Sequence, residues 1–422
     1  MAKSKKHTQH LLIFLTVLVD LIGFGIVIPL LPLYAKEFDA SLWQLGVLMA
    51  LHSFMQFIFS PLLGKISDRV GRRPVLLISI AGNVVAYIVL ASAGSLWVLF
   101  LARFLSGVSS ANISTAQAYL ADITAREKRA GAMGMIGAAF GLGFTLGPAL
   151  AGGVLAMVNS SWAPQWLADM GSHAPFWAAA LLSVVNLIWV SRSLPESLPK
   201  EKRQTSNAPM TLLPHHRFRE VANLEGAWLM RLLAVYFFNV TAFSMMTMLF
   251  TLFTNSRFGF GQEENSWLFT LVGVVGVVIQ GGMIRRIEPK VGAFKLAITG
   301  AVILTITLAA MPWTSNWTLL IAFTTLVAIG NSLVQPSLNT IASRFADEQS
   351  QGTALGLMAS AGSLGRVVGP LLSGFLLSVD FGPGFGSVAL WVSAGIAVIA
   401  TVLLVTLGGE RRSRHESGLI VD

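Results

Sequence analysis

The sequence predicts an all-α membrane protein whose twelve transmembrane helices fall into two halves of six. Three observations carry that prediction. Hydrophobic residues make up 54% of the 422-residue chain and charged residues only 12%, with a mean hydropathy of +0.69, so a water-soluble core of this size would have too little polar surface to cover it. Twelve apolar runs are each long enough to cross a bilayer. A glycine-proline pattern also recurs at a fixed offset between the two parts of the chain. The net charge of +9 would suit a nucleic acid if it were gathered on one face. It lies instead in short connections between apolar runs, so no nucleic acid partner is expected. The chain has no cysteine, which excludes disulfides and thiolate metal sites.

Taken in order, the N-terminal tail places Lys3, Lys5 and Lys6 ahead of an apolar run near residues 11–34. That run is too long for a signal peptide and has no small-residue cleavage site, so it is expected to stay as the first span. Five more runs follow near 43–63, 75–93, 96–121, 130–158 and 174–193. A second set lies near 226–254, 265–284, 293–311, 316–340, 352–378 and 386–407. Between the sets, residues 194–225 are rich in proline, charge and histidine and break the apolar pattern. The chain therefore reads as an N-terminal half (1–193), a linker (194–225), a C-terminal half (226–407) and a tail (408–422). An even number of spans puts both termini on one side. Of the 29 Lys and Arg, all but Lys36, Arg103, Arg231, Arg257 and Arg366 fall in the N-terminal tail, the connections after even-numbered spans or the C-terminal tail. The positive-inside rule makes that face, and both termini, cytoplasmic. A shift of 222 residues lays Gly143, Gly147 and Pro148 of span 5 over Gly365, Gly369 and Pro370 of span 11.

Few residues can carry chemistry. Between spans 2 and 3, the stretch from Gly64 to Pro74 gathers Lys65, Asp68, Arg69, Arg72 and Arg73 with Gly71. The glycines permit a tight turn and Pro74 suits the first turn of the next helix. Asp68 is placed to pair with an arginine at a neighbouring helix end in one conformation and release it in another, with Asp122 a partner for Arg72. The alternative is a topology signal alone. Asp20 is the one acid well inside a span of the N-terminal half, and a carboxylate there is functional by default unless it merely ties span 1 to a neighbour. It is the first candidate to bind and release a proton. Arg103 in span 4 can serve as its counter-charge or anchor to a backbone carbonyl. His52 in span 2 is the second proton candidate, with a structural hydrogen bond as the alternative. Gln56, Asn112, Gln117, Asn239 and Gln335 are candidates to line a substrate cavity or to hold helices together. Arg366, deep in span 11, can hold an anionic substrate group, pair with Asp20 or anchor to carbonyls. In span 5, small residues at spacings of about four, ending in Gly143, Gly147, Pro148, Gly152 and Gly153, give a smooth face for close helix packing.

The ordered pattern of Gly64, Asp68, Arg69, Gly71, Arg72, Arg73 and Pro74 resembles the loop between spans 2 and 3 of the major facilitator superfamily. The span 1 run from Asp20 to Pro32, the span 4 run around Arg103, and Gly147-Pro148-Ala-Leu-Ala-Gly152-Gly153 are similar to signatures of its twelve-span drug:proton antiporters, in the tetracycline and multidrug exporter branch. That resemblance covers Asp20 through Gly153. It implies two six-helix halves around a central cavity, alternating access, proton transfer assisted by Arg103 and a sealing role for span 5. The chain departs from the tetracycline pumps at Ala86, before Tyr87, and in residues 293–311, where those pumps carry acidic residues and this chain has none. The expected function is a proton-coupled antiporter that exports small amphipathic organic compounds. The alternatives are a carrier of an anionic metabolite or lipid, and a non-transporting receptor or scaffold. No enzyme activity and no cofactor are expected. The expected partners are a small-molecule substrate, protons and membrane lipid, for a monomer in a bacterial inner membrane.

Overall fold

The computed structural model describes residues 2–125, 129–203, 215–345, 351–379 and 384–416. Among them, twelve helices are long and apolar enough to cross a membrane. They are α1 (Thr8–Lys36), α2 (Leu42–Val70), α3 (Arg72–Ala91), α4 (Leu96–Ile123), α5 (Gly131–Val158), α6 (Gly171–Ser193), α7 (Trp228–Phe258), α8 (Gln262–Val291), α9 (Ala293–Trp313), α10 (Trp317–Arg344), α11 (Ala354–Ser378) and α12 (Ser387–Gly409). Each predicted apolar run coincides with one of them. Part of the expected linker (204–214) and part of the expected tail (417–422) lie outside the described residues. The helix that carries α7 begins at His215, within the stretch read as linker.

The ends of these helices follow from local chemistry. Ser41 and Gln44 form a reciprocal cap at the start of α2, in which the Gln44 N–H donates to Ser41 Oγ at 3.3 Å and the Ser41 N–H donates to Gln44 Oε1 at 2.8 Å. The charged stretch between α2 and α3, expected as a loop, is helical on both sides of a single residue. That residue is Gly71, with φ of +112°, a conformation that a side chain with Cβ resists. Gly292 repeats the device between α8 and α9, with φ of +87°. The outward faces are apolar, as they must be in lipid; Ile78, Trp97 and Ile306 are 73%, 80% and 63% exposed.

The chain divides into two compact units, one of residues 1–213 with 254–273 and one of residues 214–253 with 274–422. In the first, α1 packs along α5, α3 along α4 and α6, and α2 along α4. Glycines bring α1 and α5 together: a Cβ on Gly147 would sit 2.6 Å from the Ile22 carbonyl oxygen, and one on Gly25 would sit 2.7 Å from that of Gly143. Without a hydrophobic driving force in lipid, such backbone approach is a main source of helix association. In the second unit, α9 packs along α10 and α12. There a Cβ on Gly369 would meet the Thr241 carbonyl oxygen at 2.7 Å, and one on Gly365 that of Phe237 at 3.0 Å. The sequence repeat is thus repeated in packing, since Gly147 lies against Ile22 and Gly369 against Ser244, 222 residues further on.

Candidate functional site

The carboxylate of Asp20 is enclosed inside the first unit, 5% exposed. Its two oxygens accept from two amides, Asn83 Nδ2 on α3 at 3.1 Å and Asn112 Nδ2 on α4 at 2.8 Å. The Ser110 hydroxyl donates to the other end of the Asn83 amide at 3.4 Å, which turns the Asn83 N–H toward the acid. Amide N–H groups hold an ionised carboxylate well, and they donate more weakly to an oxygen that has taken up a proton. Tyr87 is near enough to interact electrostatically with both Asp20 and Arg103. Its hydroxyl lies where a Cβ on Gly23 would stand, so a larger residue at position 23 would evict it.

Arg103 takes a different place from the counter-charge the sequence allowed. Its guanidinium donates to the backbone carbonyls of Leu48 at 3.4 Å and Met49 at 3.5 Å, tying α4 to α2. Among the described residues no ion pair joins it to Asp20. His52 is 4% exposed, has Nδ1 3.0 Å from Ser106 Oγ and stacks on Phe24 with ring centroids 4.9 Å apart. Gln56 donates to the Ser110 carbonyl at 3.0 Å. The structure therefore brings Asp20, Asn112 and the unforeseen Asn83 together. His52 and Gln56 line the α2–α4 contact beside them, and Gln117 is exposed, away from the acid.

In the second unit, Arg366 is half-buried and donates to Ser363 Oγ at 3.0 Å. It interacts electrostatically with Tyr236, which is hydrogen-bonded to Asn339. Asn239, one turn from Tyr236 on α7, is 1% exposed and its Nδ2 has no partner. Gln335 donates to Asn331 Oδ1 at 3.4 Å.

The charged stretch around Gly71 forms a closed network at one end of the first unit. Arg72, buried, pairs with Asp68 at 2.6 Å and with Asp122 at 3.2 Å, and donates to Ser67 Oγ at 2.6 Å. Both partners foreseen for this arginine are engaged together. Sequence reasoning missed Glu196, which follows α6 in the proline-rich segment. Its Oε1 accepts from the backbone N–H groups of Arg72 (2.9 Å), Ser197 (3.0 Å) and Leu198 (3.0 Å), and its Oε2 from that of Arg73 (3.2 Å). A carboxylate on the first N–H groups of α3 meets the positive end of the helix dipole. A Cβ on Gly71 would collide with this carboxylate, a second reason for glycine there. Lys65 and Arg69 flank the network, and Gly64 makes only ordinary contact with Ser114, 3.6 Å from a Cβ. Replacement of Glu196 by Gln should lower stability by about 1–3 kcal/mol, the cost of leaving charge-assisted donors unsatisfied. Thermal unfolding in detergent reads it. In the second unit Arg344, which overlies Asp122 in the 222-residue shift, pairs with Glu288 at 2.6 Å, and Glu288 overlies Ile66 rather than Arg72.

Along α5 the foreseen packing glycines separate into two kinds. Gly143 and Gly147 lie against α1, and a Cβ on Gly152 would be 3.1 Å from the Trp267 ring. Gly153 has nothing within 4 Å. The helix continues through Pro148 without interruption.

A comparison with protein families settles the broad assignment. The description "Major Facilitator Superfamily" matches residues 13–296 and 290–419, nearly the whole chain. The chain belongs to the major facilitator superfamily. This superfamily member is therefore a multi-span transporter and not an enzyme. It is 30% identical over 395 residues to the tetracycline resistance protein, class B, of Escherichia coli, covering 92% of this chain and 93% of that protein. It is also 30% identical over 411 residues to the human major facilitator superfamily domain-containing protein 10, covering 86% of this chain and 85% of that one. The crystal structure of that human protein, described as an organic anion transporter, matches with a TM-score of 0.70 and 26% identity, over 94% of this chain and 99% of that structure.

Proposed function

We propose that this superfamily member exchanges protons for a small organic anion, with Asp20 as the proton site and Arg366 as the anion site. One observation carries the anion reading. Among the described residues, Arg366 has a serine hydroxyl and a tyrosine beside it but no carboxylate within ion-pairing distance. A guanidinium deep in a membrane helix costs about 3 kcal/mol on insertion scales, and an anionic group on the cargo offsets that cost while it is bound. The Asn239 amide, unpartnered one turn from Tyr236, supplies a further donor. The description of the human relative as an organic anion transporter supports the same chemistry. Asp20 supplies the complementary half: ionised, it is held by two amides, and a proton taken up there removes that charge and loosens the hold. The Arg72 network acts as a latch of the conformational change, and Gly143, Gly147 and Gly152 provide the smooth face of α5. The asymmetry of Lys and Arg supports both termini in the cytoplasm, and we propose a monomer in a bacterial inner membrane.

Export of tetracycline-like drugs is the second reading, favoured by the similarity to a tetracycline resistance protein over nearly the full length. The two readings separate in one experiment. In proteoliposomes with an imposed pH gradient, organic anions, neutral drugs and cationic drugs are offered in turn to wild type, Arg366→Lys and Arg366→Leu. The anion reading expects Arg366→Leu to raise KM for anions by about tenfold or more, as when one partner of a desolvated charge pair is removed, and Arg366→Lys to retain part of the affinity. Equal KM values in all three proteins would overturn it, and transport of neutral drugs in all three would select the second reading.

A further inference from the structure

Two helices of the first unit carry buried polar groups that Asp20 and the Arg72 network leave unexplained. On α6, the Asn186 side chain is 2% exposed, and among the described residues neither its Nδ2 nor its Oδ1 has a partner. Ser183, one turn away on the same buried stripe, is 1% exposed and its hydroxyl is also unpartnered. An amide buried with both ends unsatisfied is costly in an apolar setting, which is why such groups in native interiors hold water. On α4, Thr115 is fully buried with no partner for its hydroxyl. It lies one turn from Asn112 in the direction of Asp122.

The register of α6 against α3 shows where these groups stand. At one end Arg73 Nη2 donates to the Ser191 carbonyl at 2.6 Å, and at the other His173 Nδ1 is 2.9 Å from the Ala91 carbonyl oxygen. The two contacts are equally spaced on the two antiparallel helices, which sets the levels between them to within about a turn, the reach of the Arg73 side chain. By that spacing Asn186 is level with Ile78 of α3, one residue from Ser79, and Ser183 is level with Ala81, between Ser79 and Asn83. Ser79 is itself buried, 4% exposed, one turn from Asn83. Asn83 touches Asp20 directly, and α6 also packs on α1. Ser79, Asn83, Ser183 and Asn186 thus stand at neighbouring levels of α3 and α6, between the acid and the end of the unit that holds Arg72, Arg73, Asp122 and Glu196.

From this placement we infer that Ser183 and Asn186 hold a short file of ordered water that carries protons between Asp20 and the Arg72–Glu196 end of the first unit. The inference rests on Asp20 being the proton site. The step is a relay: the Asp20 carboxylic acid gives its proton to the adjacent water and becomes the carboxylate bound by Asn83 and Asn112. The same number of protons leaves at the far end, and no electrons move. Reversal of the relay reloads the acid. Ser183 and Asn186 are positioning residues for the water and are not themselves protonated. The titratable groups that face the file are Asp20 and Tyr87 at one end and Arg72, Arg73, Asp122 and Glu196 at the other.

The test needs no substrate. Full-length protein in liposomes is given a pH jump, and the infrared carbonyl band of its protonated carboxyl groups is followed in time, with Asp20→Asn identifying the part of the signal that belongs to Asp20. Asn186→Leu and, as a milder change, Ser183→Ala should slow that band by about tenfold or more, the factor that ~1.4 kcal/mol of added barrier produces, without changing its final amplitude. Asn186→Thr, which keeps a group able to bind water, should restore part of the rate. An unchanged rate in folded Asn186→Leu and Ser183→Ala overturns the inference. Should Asn186→Leu fail to fold, Ser183→Ala and a map of the wild-type protein decide, because a dry column at Asn186 overturns the water file. Absence of any Asp20-dependent band in the wild type would instead remove the proton-site reading, and the water file with it.

Discussion

Asp20→Asn should abolish transport driven by a pH gradient while leaving substrate exchange at equal pH largely intact. The substitution keeps the shape of the side chain and one carbonyl acceptor for Asn112, so the α1–α4 contact survives. What changes is that the site can no longer gain or lose a proton. The nitrogen of the new amide also faces the Asn83 N–H, a donor against a donor, which costs about 1–3 kcal/mol of stability and is relieved in part by rotation of Asn83. A gradient of one pH unit is worth ~1.4 kcal/mol per proton, and without a titrating group none of it reaches the cargo. Proton flux and substrate flux recorded in the same liposomes distinguish the outcomes. A variant that still accumulates substrate against its gradient would move the proton site elsewhere, with His52, buried on Ser106, next in line.

Gly147→Val should unfold or inactivate the protein, whereas Gly153→Ala should leave both stability and transport near wild type. At position 147 a Cβ would sit 2.6 Å from the Ile22 carbonyl oxygen and 2.7 Å from the Gly25 Cα, both backbone atoms that cannot swing aside. Forcing α1 and α5 apart is overpacking, which costs about 1–3 kcal/mol even where side chains can adjust. It would also displace Asp20, which lies within one turn of Ile22 on α1. At position 153 a Cβ would meet nothing within 4 Å. Thermal unfolding in detergent, with the two variants side by side, reads the difference. Equal melting temperatures would mean that the α1–α5 contact is looser than these distances state.

The twelve spans were legible because a membrane leaves little freedom: a helix that crosses it must be long and apolar on its lipid face, and the sequence shows that without reference to packing. Asp20 was legible for the same reason, as a charge where charges are expensive. Close packing at Gly143 and Gly147 could be read from their spacing, but neither its partner α1 nor the open space at Gly153 could, since both kinds of glycine look alike in a sequence. Arg103 showed the limit for a cation. A guanidinium accepts any nearby oxygen, and which one it takes, here the carbonyls of Leu48 and Met49, depends on helix rotation. Asn83 escaped notice because a single amide in an apolar run is ordinary until its neighbour is known to be an acid. Glu196 escaped because it sits in a polar segment where charge is common. Its signal was its position directly after α6, on the face that also carries Gly71, where a carboxylate can reach the start of α3. Arg344 overlies Asp122 in the 222-residue shift that revealed the glycines, but its partner Glu288 overlies Ile66, so the pair could not be read from the repeat.

The most direct test of the exchange of protons for an organic anion is paired flux in proteoliposomes that contain either the wild-type protein or Asp20→Asn as their sole protein. An outward gradient of a fluorescent organic carboxylate is imposed at equal pH on both sides, and the internal pH is followed as the anion moves. The account predicts that anion movement in one direction drives a pH change of the sign that proton movement in the other requires, and that the pH change disappears in Asp20→Asn. Anion movement with no change in internal pH, in a protein shown to be folded and inserted, would contradict it.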